Sequence, residues 1–297
     1  MAARPRIAIV GAGKVGTALA LELARAGYAI SEVVARDSET SRRKAAGLAR
    51  RIHSRAVTVE RAAWDAKIIW LCVPDRAIAA AARELAPLAR WRGKVVFHSS
   101  GALSSDELSF LRQRGAAVAS VHPLMTFVSG STPSLQEVPF GVEGDTTAIR
   151  VARAIVRDIG GEVFRVQRKP KAAYHAWGTF ASPLLLATLV TAEQVARRAG
   201  ISAASARRKM LPIVRQTVAN YAALGPAGAF SGPIVRGDAA TVRKHLAALK
   251  DNPDLREAYR ALARVALRYL PARNRAGTVA SLQSSAVRKS GFKSGPR

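Results

Sequence analysis

A doubly wound parallel sheet followed by a smaller all-helical domain is the fold that the sequence predicts. Three observations carry it. Short apolar runs alternate with helical periodicity over residues 1–166. A Gly11-x-Gly13-x-x-Gly16 turn follows the first run. Beyond Arg168-Lys169-Pro170 only helical patterning remains.

Arg6–Val10 is an apolar run stopped by Gly11, and Lys14–Ala26 carries apolar residues at helical spacing up to Gly27. The next strand is Ser31–Ala35, followed by an Arg-rich helix over Ser41–Arg51 and a short strand at Ala56–Val59. Lys67–Val73 reads as a strong buried strand, Arg76–Leu88 as a helix, and Val95–Phe97 and Ala116–Val121 as strands. Phe140–Glu143, a Thr147–Ile159 helix and Glu162–Val166 complete a set that implies parallel strands covered on both faces. Residues 167–275 read as the helical domain, with Arg168-Lys169-Pro170 as hinge. Its first helix, Ala172–Ala199, contains Pro183 and ends at Gly200; further helices begin at Ser202, Ala239 and Asp254. Residues 276–297 hold Arg288, Lys289, Lys293 and Arg297 and no acid, and read as a basic disordered tail.

The glycine loop is the strongest chemical signal. Gly11 permits the tight turn, Gly13 lets backbone approach a pyrophosphate, and Gly16 lets the helix pack on its strand. Ala12, Lys14 and Val15 complete the loop, whose helix N-terminus offers unpaired N–H groups to phosphates. The end of the second strand, Arg36-Asp37-Ser38, decides the dinucleotide. Arg36 can clamp a 2′-phosphate and Ser38 can add a hydroxyl, which favours NADP; Asp37 turned inward would favour NAD. NADP ranks first.

Ligands lie beyond the carboxyl ends of parallel strands, so three later strand ends matter. Val73-Pro74-Asp75 should run beside the cofactor, with Asp75 either capping the next helix or touching ligand. His98-Ser99-Ser100-Gly101-Ala102 places Ser99 and Ser100 near the nicotinamide, with Ser100 and Gly101 open to a substrate carbonyl or carboxylate. His122, held extended before Pro123, has a pKa range suited to a general acid. His98 and His245 read as structural. Tyr174 and His175 offer a phenol and an imidazole near the start of the first long helix, and Arg236 follows a Gly-Pro turn that could aim it at a substrate carboxylate.

Composition narrows the class. The chain of 297 residues is 49% apolar and 23% charged, enough for real cores. A lone Cys72 excludes an intramolecular disulfide framework and a cysteine metal cluster. The apolar runs read as too short for a membrane span and the N-terminus lacks signal-peptide order, so a cytoplasmic protein is expected. The net charge is +27, of which residues 166–297 carry +18 (23 bases, 5 acids). Such a surface attracts phosphorylated ligands or nucleic acid, yet nothing in it reads bases.

The order of motifs resembles a bacterial Rossmann-like family with a C-terminal helical domain of unknown function 2520. The residues that carry it are Gly11–Gly16, Val73-Pro74-Asp75, His98–Ala102, His122-Pro123-Leu124 with Thr126-Phe127, Tyr174-His175 and Gly232–Asp238 with Thr241 and His245. The resemblance extends to pyrroline-5-carboxylate reductase, ketopantoate reductase and the β-hydroxyacid dehydrogenases. It implies NADP-dependent hydride transfer and homodimers built through the helical domain. The chain departs from the pattern at Pro183, where the family has an asparagine, and at Trp177 and Gly178, where it has smaller, alanine-like residues. The Lys/Asn pair of the β-hydroxyacid dehydrogenases is also missing, Lys171 being read as preceding the helix. The expectation is therefore an NADP-dependent oxidoreductase acting on a small carbonyl or imine, with His122, Tyr174, His175 and Ser99 as catalytic candidates. The alternatives are a non-catalytic NADP-binding regulator or scaffold and, well behind, a nucleic-acid-associated protein.

Overall fold

The computed structural model describes residues 4–283. Its strands are β1 (Ile7–Val10), β2 (Ile30–Ala35), β3 (Arg55–Thr58), β4 (Ile68–Leu71), β5 (Val95–His98), β6 (Ala117–Pro123), β7 (Pro139–Gly144) and β8 (Glu162–Arg165). They form one sheet in the order β3-β2-β1-β4-β5-β6-β7-β8. Helices α1 (Lys14–Arg25), α2 (Glu39–Arg51), α3 (Ile78–Leu85), α4 (Ser109–Gln113) and α5 (Thr146–Asp158) connect them. The chain order reverses at β1, so the crevice between the ends of β1 and β4 is a topological switch point.

The central strands β1 and β4 are buried residue for residue, which explains their unbroken apolar runs. One apolar cluster gathers Ile7, Ile9, Leu19, Leu23, Trp70 and Phe97 with α5; the other gathers Ala8, Val10, Ile69, Leu71, Trp91 and Val96. Alternate residues of each strand thus feed the two layers.

Two features differ from the expected pattern. The sheet is not wholly parallel, because β6 and β7 run antiparallel, with His122 opposite Gly141 and Ser120 opposite Glu143. A stretch left unassigned by periodicity is a 3₁₀ turn over Ser105–Leu108 continued by α4, started by the Ser104 hydroxyl accepting from the Asp106 N–H. Helices that short bury too few residues to show a period.

The chain divides into two compact units between Ser182 and Pro183. Helix α6 (Lys171–Thr179), expected to open the helical domain, belongs to the first unit. A π turn over Phe180–Leu184 contains Pro183, whose missing N–H and ring bulk account for the widened turn.

The second unit is helical: α7 (Leu185–Arg198), α8 (Ala203–Ala229), α9 (Pro233–Arg236), α10 (Ala239–Ala248), α11 (Pro253–Tyr269) and α12 (Arg275–Gln283). The Ser202, Asp238 and Asn252 side chains cap α8, α10 and α11. Its small core is Val242, Leu246, Ala263, Leu267 and Leu282. Helix α12 corrects the expectation of disorder from residue 276 onward, since Thr278, Ser281 and Leu282 are buried; Arg288, Lys289, Lys293 and Arg297 lie outside the described residues. The helical stretch Lys171–Arg198 has 28 residues and is long and apolar enough, by length and composition only, to cross a membrane.

Candidate active site

The glycine loop joins β1 to α1 at the switch point. Gly11 has φ +103, and a Cβ there would stand 2.7 Å from the Cys72 carbonyl oxygen on the neighbouring strand end. At Gly16 a Cβ would lie 2.1 Å from the Gly11 carbonyl oxygen and 2.9 Å from Cys72 Cβ, so α1 sits directly on the loop. Gly13 is different: a Cβ there would find nothing nearer than 3.9 Å, so its face is open. No side chain caps α1, which leaves its first N–H groups available to an anion.

A cavity of about 380 Å³ opens from this loop, lined by Gly11–Gly13, Arg36, Ser41, Lys44, Val73 and Pro74 among others, with Glu84 on the α3 side. A second groove of about 540 Å³ shares Ala12, Gly13 and Lys44 and adds Lys14, Arg51 and the Ser129–Thr132 loop. Together they run along both flanks of the glycine loop, and the described charges around the loop are basic apart from Glu84. Arg36 is exposed into the cavity. Asp37 is paired with Arg42 and does not line the cavity. The Ser38 hydroxyl caps α2, accepting from the Ser41 N–H and bonding the Ser41 hydroxyl at 2.9 Å, and Ser38 does not line the cavity. Ser41 and Lys44, one turn further along, line the cavity in its place.

A second cluster gathers at the ends of β5, β6 and β7. The Tyr174 hydroxyl lies 2.7 Å from His122 Nδ1, with the rings edge to face at 90°. Burial raises the Tyr174 phenol to about 12, although a main-chain bond from Gly141 opposes that. In the tautomer where Tyr174 donates to Nδ1, the imidazole proton sits on Nε2. His122 Nε2 in turn packs on Gly101, where a Cβ would be 2.8 Å from it and 2.7 Å from His175 Cδ2. Any side chain at residue 101 would collide with both imidazoles. Burial lowers the His122 pKa to about 4, and the charges of Lys171 and His175 add to that. Phe164 and Trp177 wall the cluster through ring contacts with Tyr174.

The residues of the Ser99–Gly101 turn have different tasks. The Ser99 hydroxyl accepts from Trp70 Nε1 at 2.8 Å, which fixes the ends of β4 and β5; it does not join the imidazole cluster. Ser100 is buried, its hydroxyl donating to Asp75 at 2.8 Å and accepting from the Ala102 and Leu103 N–H groups. Its side chain thus ties the turn to Asp75. Asp75 does not cap α3: exposed in the 3₁₀ turn that precedes it, its carboxylate accepts from the Ser100 hydroxyl. His98 is fully buried, accepting from the Ser100 N–H and bonding the Ser104 carbonyl, and its pKa falls to about 4 mainly through burial.

Sequence reasoning missed Lys171 and Glu143. Lys171 opens α6 and is 2% exposed. Its ammonium donates to the Ser100 carbonyl at 3.1 Å and to the Ser120 hydroxyl at 2.5 Å, and stands 3.9 Å from the Glu143 carboxylate. Glu143 also accepts from the Ser105 N–H and hydroxyl. The signal was present in the spacing: Lys171, Tyr174 and His175 stand at i, i+3 and i+4 on one helix face, and Ser120/His122 and Gly141/Glu143 at i and i+2 on one sheet face.

In the second unit, Arg236 is exposed as the last residue of α9, and its charge helps hold the Asp238 carboxyl low, behind the larger effect of the Thr241 bonds. His245 bonds the Tyr259 hydroxyl at 3.0 Å. Among the described residues, no group of His, Cys, Asp and Glu could hold a metal ion.

Residues 1–123 match a Rossmann-like domain, and residues 138–266 match the domain of unknown function DUF2520. No curated protein matches the sequence. Among solved structures, a Bacteroides fragilis protein classed provisionally as an NADP oxidoreductase superposes with TM-score 0.73 at 23% identity, over 88% of this chain and 97% of that one. A Thermotoga maritima protein gives TM-score 0.69 at 21% identity, over 94% and 98%. A reductive aminase from Aspergillus terreus, in complex with NADPH and ethyl-5-oxohexanoate, gives 0.63 at 16% identity, over 90% and 94%. At these identities the likeness is one of fold. The chain therefore joins a Rossmann-like domain to a domain of the DUF2520 family.

Proposed function

We propose that the protein is an NADP-dependent oxidoreductase that reduces a small carbonyl or imine, or runs the reverse oxidation. The observation that carries this reading is the pairing of an uncapped, glycine-opened α1 terminus with a neighbouring cavity in which Arg36, Ser41 and Lys44 face the same space. The geometry fits a dinucleotide: the α1 N–H groups suit the pyrophosphate, and the three polar side chains suit a 2′-phosphate. Asp37, the residue that would favour NAD, is engaged with Arg42. The fold neighbours whose descriptions name NADP or NADPH support the same class.

Bound NADPH would supply hydride. The chain's own contribution is the proton. His122 holds it on Nε2, beside Gly101 and at the edge of the cluster, while Tyr174 fixes that tautomer through Nδ1. As charge develops on the reduced carbonyl oxygen or imine nitrogen, Nε2 can donate its proton while Nδ1 takes the Tyr174 phenol proton. His122 thus stays neutral, and the charge passes to the Tyr174 oxygen until solvent reprotonates it. His175, exposed beside His122, is the second candidate to touch substrate. The reading includes a homodimer through the helical domain, supported by Leu186, Ile213, Tyr221 and Leu224, which are 59–68% exposed on α7 and α8.

The test is consumption of NADPH absorbance against a panel of small ketones, ketoacids and cyclic imines, with the His122→Asn protein in parallel. Turnover that falls at least about a hundredfold in the variant supports the reading. Tight NADPH binding with no turnover across the panel favours a regulator or scaffold instead.

A further inference from the structure

The Lys171 ammonium does not face open solvent or a ligand cavity. It joins three strands: the Ser100 carbonyl beyond the end of β5, the Ser120 hydroxyl in the middle of β6 and the Glu143 carboxylate near the end of β7. Ser120 also donates to the Ser100 carbonyl at 3.0 Å, so Lys171 and these two serines close on one another. Asp75 holds Ser100 from the end of β4. Every partner is therefore part of the frame that sets Gly101 against the His122 and His175 rings.

The charges around this frame are unequal. Glu143, the nearest carboxylate, is shared among the Ser105 N–H, the Ser105 hydroxyl, Arg168 at 3.5 Å and Lys171 at 3.9 Å. Asp75 is the other acid acting on Lys171, and His98 is the other titratable group that feels it. From β6, His122 faces Tyr174, His175 and Lys171 on α6.

We propose that Lys171 is a positioning residue for this site: its ammonium clamps β6, β7 and the turn after β5 into one frame behind His122, and its charge disfavours a second cation on the His122 imidazole. Added to the larger effect of burial, this charge keeps the His122–Tyr174 pair neutral at all but acid pH, with the imidazole proton presented on Nε2. The role in proton delivery rests on the oxidoreductase reading; the clamp and its charge rest on the geometry alone.

The experiment is an imidazole ¹⁵N NMR titration of the full chain, wild type against Lys171→Met and Lys171→Arg. In the wild type, His122 stays neutral to about pH 5. Its ring nitrogens show a second, smaller inflection near 8, where Lys171 itself loses its proton. In Lys171→Met, that inflection disappears and the His122 midpoint rises by at least about one unit, roughly a tenfold change in proton affinity, whereas Lys171→Arg keeps His122 neutral. A wild-type His122 with no inflection between pH 7 and 9, or a Lys171→Met midpoint equal to wild type, overturns the proposal, and the wild-type arm decides even if the variants do not fold. Where turnover is found, Lys171→Met should raise the acid limb of the pH–kcat profile by the same interval and leave the KM for NADPH unchanged. An NMR shift without NADPH binding would retain the clamp and remove the oxidoreductase reading; binding and turnover without the shift would do the reverse.

Discussion

The glycine loop and the imidazole cluster solve the placement of chemistry in opposite ways. The loop is six consecutive residues whose function lies in the main chain: two positions where a Cβ would collide with backbone and one where it would meet nothing closer than 3.9 Å. The cluster takes His122 from β6, Gly141 and Glu143 from β7, Lys171, Tyr174 and His175 from α6, and Gly101 from the turn after β5. One is local and built on sterics; the other is long-range and built on hydrogen bonds and charge. A local steric device should fail all at once, whereas a distributed one should fail by degrees.

The largest expected effect is at Gly16. A Val there would place its Cβ 2.1 Å from the Gly11 carbonyl oxygen, against backbone that cannot yield cheaply. Gly16→Val should lose several kcal/mol of stability, as overpacked sites do, and bind no dinucleotide. Chemical denaturation and NADPH fluorescence check both. A variant that folds and binds like wild type would break the comparison on its local side.

Next comes the distributed cluster. Tyr174→Phe removes the group that bonds Nδ1 while leaving the ring, and turnover should fall about tenfold to a hundredfold, less than for His122→Asn. Stopped-flow reduction rates with the best substrate of the panel measure it. Equal loss in the two variants would mean that Tyr174, not His122, passes the proton to substrate.

The cluster also predicts an acid dependence of stability. His98 and His122 have folded pKa values near 4, lowered first by burial, against an ordinary 6.5. Between those limits the unfolded chain binds more protons than the folded one. Their stabilisation is therefore complete above about pH 6.5 and lost as pH falls toward about 4. Urea unfolding at about pH 7 and about pH 4.5 should differ by a few kcal/mol, on the order of 2–3 for each histidine at most. His98→Asn should remove part of that difference.

The smallest effect sharpens the comparison at the loop's outer edge. Ser38 caps α2 and does not line the cavity. Ser38→Ala should cost about 1 kcal/mol of stability and leave NADPH affinity within about twofold. A tenfold loss of affinity would return Ser38 to the binding site.

The two regions also differ in what their sequence discloses. Gly11–Gly16 and the β1–α1–β2 unit are legible because a steric motif is contiguous and a fully buried strand is an unbroken apolar run. Arg36 is legible from its distance along the chain, yet Ser38 exchanges roles with Ser41 because a capping hydroxyl and a ligating one look alike in sequence. The antiparallel β6–β7 pair was invisible, since alternation of elements reports layers and not strand direction. Lys171 was hidden by Pro170, which reads as hinge chemistry, and by the general expectation that lysine is solvated. Only the pairing of Ser120 with Glu143 across strands, and the turn after β5, supply its partners.

The central claim is an NADP site whose selectivity comes from Arg36. Fluorescence titration of the full chain with NADPH and with NADH, repeated on Arg36→Ala, tests it most directly. A charge-assisted contact contributes roughly 1.5–3 kcal/mol, so NADPH should bind about tenfold to a hundredfold more tightly than NADH, and Arg36→Ala should erase that preference while leaving NADH affinity unchanged. Equal binding of the two by the wild type, or binding of neither, would contradict it.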